Sequence, residues 1–446
     1  MIKKVKLHEI VKIAGRVGWK GYTVEDLRDE GPWVIGANDI TSDNRLDLSK
    51  AKHISREKYE ESPEIKIDLN DILIVKVGST IGKVAIVNRE IGEACINPNS
   101  VILKNCKINP SYLYYYLISS AGQSFLRNNS SASAQSALNQ MTLKEMLIDI
   151  VDENTQVNIS SILNNLNSKI ELNNRINAEL EAMAKMIYDY WFVQFDFPFD
   201  FAQGKPDKNG KPYKSSGGKM VWSEELKREI PQGWEVNKME DWIECKKSGD
   251  WGKEVPDGNS TLKVTCFRGA DINGLNGLTE LKPPIRYILE KNSFKILNAH
   301  DIIIEISGGS PTQSTGRLAY ITDSTIKRFD TPLICSNFCK PISLKNPKLL
   351  YNFVYYWNSL YDNGIFFGYE GKTSGIKNLL FDSFVSSYYT VVPEQSIVNE
   401  FYDFMENIQN KKQTALAENQ KLTELRDWLL PMLMNGQVKV NEIEHA

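Results

Sequence analysis

Residues 156–193, QVNISSILNNLNSKIELNNRINAELEAMAKMIYDYWFV, read as one long helix between two halves of similar size. Ile159, Leu166, Leu180 and Ile187 recur at multiples of seven, and Ile162, Ile176, Met183 and Tyr190 form a second row three places along, which makes a heptad seam. At 1.5 Å per residue such a helix spans about 55 Å, and an apolar seam of that length needs a partner. Residues 395–432 supply one. There Phe401, Ile408, Ala415, Leu422 and Leu429 make one row, and Phe404, Leu425 and Met432 make the other. Lys169 and Asn173 interrupt the first seam and Lys411 and Glu418 the second, and such polar interruptions fix register at a cost in stability. The two segments are expected to pair as a coiled coil.

Outward from the helices, one unit occurs twice. GPWVIGANDIT (31–41) is matched by LKVTCFRGADI (262–272), and NDILIV (70–75) by HDIIIE (300–305). The first run leads through Gly78-Ser-Thr-Ile-Gly82-Lys83 into Val84–Val87. The second leads through a longer glycine-rich loop, Gly308–Gly316, into Arg317–Ile321. Two β-branched runs flanking a glycine loop predict strand, loop, strand. Cys95-Ile-Asn97 and a proline-opened aromatic helix after Asn109 are answered by Cys335-Ser-Asn337 and the stretch after Asn346. Matched positions lie about 230 to 240 residues apart, the drift that loop insertions leave in a duplicated unit.

Composition sets the class. The 446 residues suffice for two or three domains, and 41% hydrophobic with 24% charged residues is ordinary for a soluble chain. The net charge of −3 neither argues for a nucleic-acid partner nor excludes one, because a local basic surface can sit on a neutral chain. Six scattered cysteines without C-x-x-C spacing read as reduced thiols of a cytoplasmic protein. No apolar run approaches a membrane span, and the amino terminus has no signal core.

Catalytic motifs do not assemble. Gly78–Lys83 has one residue too few for a phosphate loop, carries Val84 where a magnesium-binding hydroxyl belongs, and lies between strands instead of opening a helix. Pro206-Asp207 with Glu225-Leu226-Lys227 loosely matches a metal-dependent nuclease pattern, yet Asp207 falls in a turn-rich segment. Four dispersed histidines make no metal cluster, and no nucleophile elbow or dinucleotide loop occurs. The expectation is a binder with no catalytic and no metal-binding residues. Residues 194–235, rich in turn formers and cations, read as an exposed connector, either solvated or touching a phosphate backbone.

KIELNNRINAELEAMAKMIYDYWFVQFDFP, GKPYKSSGGKMVW and IPQGWE, with the two half-repeats and the helix-opening Gln156 and Gln395, resemble the specificity subunits of type I restriction-modification systems over essentially the whole chain. The resemblance implies an α+β protein: two similar target-recognition domains separated by a long antiparallel two-helix coiled coil, as a pseudo-two-fold internal duplication. The boundaries expected are 1–152 for the first recognition domain, 153–193 for the central helix, 194–235 for the connector, 236–393 for the second recognition domain and 394–436 for the C-terminal helix. It further implies that each domain reads one half of a bipartite double-stranded DNA target and that the helices set the spacing. Partners would be two modification subunits using S-adenosylmethionine and restriction subunits using ATP and Mg, with no cofactor in this subunit and no membrane. Two other classes remain: a coiled-coil adaptor with two protein-binding domains, and a metal-dependent nuclease.

Base reading needs donors and acceptors on loops held by a rigid scaffold. The candidates are Asn38, Lys76, Ser79, Thr80, Lys83, Ser133, Gln135 and Asn139 in the first domain. In the second they are Arg268, Gln313, Ser314, Arg317, Tyr369, Lys372 and Lys377. Each is equally readable as a turn-stabilising or solvated residue. Tyr114, Tyr115 and Tyr116, like Tyr355, Tyr356 and Trp357, are expected in the core.

Overall fold

The computed structural model describes residues 3–15, 21–129, 137–308, 310, 312–373 and 376–440. The chain divides into two compact units, Met1–Ile170 with Lys421–Ala446, and Glu171–Gln420.

In the first unit the strands are β1 (Lys3–Lys6), β2 (Lys12–Ala14), β3 (Leu27–Ile35), β4 (Lys52–Ile54), β5 (Ile72–Val75), β6 (Val84–Ile86), β7 (Ala94–Ile96), β8 (Ser100–Lys104) and β9 (Leu147–Ile150). One sheet has the order β2-β8-β5-β6 and a second β4-β3-β7, and β1 pairs with β9. Only β3 and β7 run parallel, with Val34 opposite Cys95. Strand β5 is buried on both faces, which is why it is an unbroken β-branched run. Its period of two divides the unit's core. Ile72 and Ile74 face a cluster containing helix α1 (Pro110–Ile118), whereas Leu73 and Val75 face the β3–β7 layer. The side chain of Asn109 caps α1 by accepting from Tyr112 N at 3.0 Å, and Pro110 opens it. Helix α2 (Ser120–Asn128) follows directly.

The second unit repeats this order. Ile243–Lys246, Cys339–Leu344, Ile302–Glu305 and Leu318–Tyr320 form a sheet and stand in the places of β2, β8, β5 and β6. Ile285–Leu289, Ser260–Phe267 and Leu333–Cys335 answer β4, β3 and β7, again with one parallel pair. Glu235–Lys238 pairs with Tyr389–Val392 as β1 does with β9. Ile302 and Ile304 face the cluster around the helix Leu350–Asp362, while Ile303 faces the opposite layer. The strand framework read from the sequence thus occurs twice, and the second unit adds a three-stranded sheet of Ser307–Gly308, Ile376–Leu379 and Glu370–Thr373.

Two long helices complete the fold: α3 (Glu153–Tyr188), continued by a π turn over Asp189–Val193, and α5 (Gln395–Met434). The aromatic helix α4 (Leu350–Asp362) lies between them in the chain. In the first unit Ile159 and Leu163 share a cluster with Leu433 and Met434, and Arg426 donates to Asn167 Oδ1 at 3.1 Å. In the second, Asn173 Nδ2 donates to Asn419 Oδ1 at 2.9 Å, Lys412 pairs with Glu181, and Tyr188 packs on Phe401. Numbers that rise along α3 fall along α5, so the helices run antiparallel.

The seam differs from its expected position in one row. Leu163, Ile170, Asn177 and Ala184 are buried, whereas Ile176, Met183 and Tyr190 are exposed. On α5 the buried row holds Val398, Met405, Lys412 and Asn419, while Phe404 and Leu425 are exposed. Hydrophobicity misplaces the stripe by one residue because the packed layer contains Asn173, Asn419 and Lys412, which hydrogen-bond across it, and Asn177, which is buried. Residues 194–235 also depart from the exposed connector. They form a three-stranded sheet and a hairpin, Met220–Ser223 with Arg228–Pro231, and bury Phe195, Phe197, Tyr213 and Trp234 in the second unit's cluster. Its turn formers lie at the surface of a small folded element with an aromatic interior.

Candidate functional site

The base of the glycine loop is built alike in both units. Val75 N donates to Lys83 O at 2.9 Å and Gly82 N to Val75 O at 3.0 Å; Glu305 N donates to Arg317 O at 2.8 Å and Gly316 N to Glu305 O at 2.9 Å. Gly82 and Gly316 have φ of +88° and +104°, the left-handed region that glycine enters without strain. Val75 thus corresponds to Glu305, Lys76 to Ile306, Gly78 to Gly308, Gly82 to Gly316 and Lys83 to Arg317. A short 3-10 turn faces each loop, Ala37–Asp39 and Gly269–Asp271, closed by Asp39 accepting from Gly36 N and Asp271 from Arg268 N.

This registration places the predicted cations. Lys83 Nζ donates to Ala37 O and Ile40 O, the latter at 2.6 Å, and Arg317 Nη2 donates to the corresponding Gly269 O at 3.0 Å. Arg317 is further held bidentate by buried Glu305, at 2.8 and 2.7 Å, and that bonding raises its pKa. Arg268 is bidentate on Asp271, and Lys377 pairs with Glu370 at 3.0 Å. All four point inward as loop fasteners.

The remaining candidates separate into two groups. Asn139 caps a short helix by accepting from Met141 N, Ser314 is buried, and Tyr369 packs edge-on against Phe384. Asn38 and Ser79 are exposed, and Lys76, Thr80 and Gln313 are half-buried with side chains that engage no partner among the described residues. Burial lowers the pKa of Lys76 below the ordinary lysine value. Ser133, Gln135 and the Lys372 side chain lie outside the described residues. Tyr114, Tyr115, Tyr355 and Trp357 are buried, as expected.

In the first unit the loop walls a cleft of about 570 Å3. Gly78, Ser79, Thr80 and Lys83 line one side, and Ser42, Asn44, Gln123 and Arg127 the others. Asn44, at φ +62°, accepts from Val84 N through Oδ1 and from Tyr114 Oη through its carbonyl, so the core aromatic helix supports the rim. Gln123 Nε2 donates to Gly82 O at 2.8 Å, tying α2 to the loop. Sequence reasoning missed Gln123, Asn44 and Arg127 because they lie far from the loop in the chain. Among the described residues no group of three or more His, Cys, Asp or Glu is placed to hold a metal ion. Among the described residues no helix is long and apolar enough to cross a membrane.

Residues 2–182 match the family described as type I restriction modification DNA specificity domain. The type I restriction enzyme MjaIX specificity subunit of Methanocaldococcus jannaschii is 23% identical over 99% of this chain and 94% of its own length. Residues 2–182 thus match a type I DNA specificity domain, and the chain is similar over nearly its whole length to a type I specificity subunit. A second such relative, the HindI specificity subunit of Haemophilus influenzae, is 23% identical over 83% of this chain and 87% of its own. Among solved structures, a type I restriction-modification S subunit from M. genitalium aligns over 99% of this chain and 97% of its own, with a TM-score of 0.55 at 13% identity, which is a likeness of fold. The duplicated architecture is therefore similar in fold to that S subunit.

Proposed function

We propose that this chain is a specificity subunit reading double-stranded DNA as a bipartite target, each α+β domain recognising one half, and that the paired helices set the spacing between halves. The observation that carries the reading is the duplicated domain, in which the same strand framework twice presents a glycine loop of different length and chemistry. A rigid frame with variable loops is what direct base readout requires. The exposed Ile176, Met183 and Met186 of α3 and Tyr190 of the π turn suit docking of modification subunits, which would bring the methyl donor S-adenosylmethionine. Restriction subunits would add ATP- and Mg-dependent cleavage, so this chain has no catalytic role of its own. Expression with its modification subunit should methylate a two-part motif. Removing about two heptads from both helices should shorten the spacer and leave both half-sites intact. An unchanged spacer would refute the ruler role, and absence of any motif would refute DNA reading.

A further inference from the structure

The corresponding loop bases differ at two positions that face the same loop. Lys76 N donates to Asn99 O at 2.8 Å, and Ile306 N donates to Phe338 O at 2.9 Å. Positions 76 and 99 are therefore the structural counterparts of 306 and 338. In the first domain both are polar. Lys76 Nζ has no partner among the described residues, and the Asn99 side chain is exposed without one. In the second domain both are apolar: Ile306 packs on the core, and Phe338 stands 54% exposed beside Ser307.

An exposed phenylalanine on a loop is unfavourable in water unless something covers it. Phe367 and Ile376 of the same unit are also exposed; Ile376 precedes Lys377, which pairs with Gly308 and lies 4.8 Å from the centre of the Phe367 ring. The local cations Arg317 and Lys377 are already neutralised by Glu305 and Glu370. The exposed ring of Phe338 therefore offers an apolar contact at the position where the first domain offers Asn99.

We propose that residues 76/99 and 306/338 are equivalent readout positions using opposite chemistries: Lys76 with Asn99 hydrogen-bonds a base edge in one half-site, and Phe338, backed by Ile306, contacts a thymine C5-methyl in the other. The inference rests on the DNA-reading function proposed above. In the major groove a lysine matches the paired acceptors O6 and N7 of guanine, and an aromatic ring matches the one methyl that the bases display there. Lys76 suits the task because its ammonium is half-desolvated before contact and gains acceptors on binding.

The test uses the full complex with its modification subunit and a duplex carrying the methylated motif. Replacing thymines of the second half-site one at a time by deoxyuridine removes only a methyl group. At one position wild-type affinity should fall about three- to fivefold, the effect of one buried methyl. Phe338→Ala should weaken binding to the natural duplex similarly and show no further loss with deoxyuridine, while Phe338→Leu should stay sensitive. In parallel, 7-deazaguanine at one position of the first half-site should weaken the wild type and leave Lys76→Met unaffected. Equal deoxyuridine sensitivity in wild type and Phe338→Ala, or lost modification-subunit binding by Phe338→Ala with an unchanged DNA motif, would overturn the assignment. Failure of the wild-type complex to select any bipartite duplex would instead overturn the underlying function.

Discussion

The two recognition domains share a framework and differ in how its loop is braced. In the first, Val75 ends the central strand and Lys83 bonds only to carbonyls of the facing turn. In the second, Glu305 takes the place of Val75, binds Arg317, and stands with Glu370 inside a loop four residues longer, 306–315 against 76–81. Glu370 accepts from both Thr315 N and its hydroxyl. A longer loop has more freedom to lose, and buried charge-assisted bonds hold it in one shape. The strand starts show the same divergence. Asp71 and Asp301 each follow a residue of positive φ, yet Asp71 is answered by Lys104 of β8 and Asp301 by Lys247, beyond the strand that corresponds to β2. Duplication has preserved where charge is compensated and not which residue does it.

That contrast can be broken by substitution. Arg317→Ala leaves Glu305 buried and unpaired and should cost about 3–5 kcal/mol in the second domain, whereas Lys83→Ala should cost about 1–2 kcal/mol in the first, measured as shifts in urea unfolding. Equal costs would show that the two loops are braced alike. The paired glycines sharpen the comparison further. A Cβ at Gly316 would lie 2.9 Å from the buried Phe366 ring, while at Gly82 its nearest neighbour is Gln123 Oε1 at 3.5 Å. Gly316→Ala should therefore destabilise by about 2–3 kcal/mol and Gly82→Ala by about 1 kcal/mol, the second reflecting only the left-handed backbone. The smallest effect is electrostatic. Burial raises the pKa of Asp39, so its charged form is disfavoured in the folded domain. The stabilising contribution is complete below the unfolded carboxylate pKa and is lost as pH rises through the folded value. Wild type should gain stability relative to Asp39→Asn as pH falls through the carboxylate range, and a pH-independent difference would remove this term.

Much of the fold was legible because the same strands were written twice. NDILIV and HDIIIE could be matched by eye, and each became a doubly buried central strand. The helix seam was legible in kind but not in its second row, since Asn173 and Asn177 occupy buried layers that hydrophobicity alone leaves empty. The small domain at 194–235 was hidden by surface turn residues, although Phe195, Phe197, Tyr213 and Trp234 announced an aromatic interior. Site residues were the least legible. Arg317 and Lys377 looked like phosphate ligands because a sequence does not show which buried carboxylate will meet an arginine or lysine. Phe338 drew no notice as a lone apolar residue, yet aligning it with Asn99 across the repeat would have exposed the contrast.

The antiparallel pairing of β1 with β9, repeated by Glu235–Lys238 with Tyr389–Val392, has a consequence for inheritance. Each domain is entered and left through neighbouring strands and also lays its aromatic helix on the long helices, Tyr115 bonding Asn164 and Tyr351 bonding Glu406. A transplanted domain would therefore have to match both the two-strand stem and that helix-facing surface.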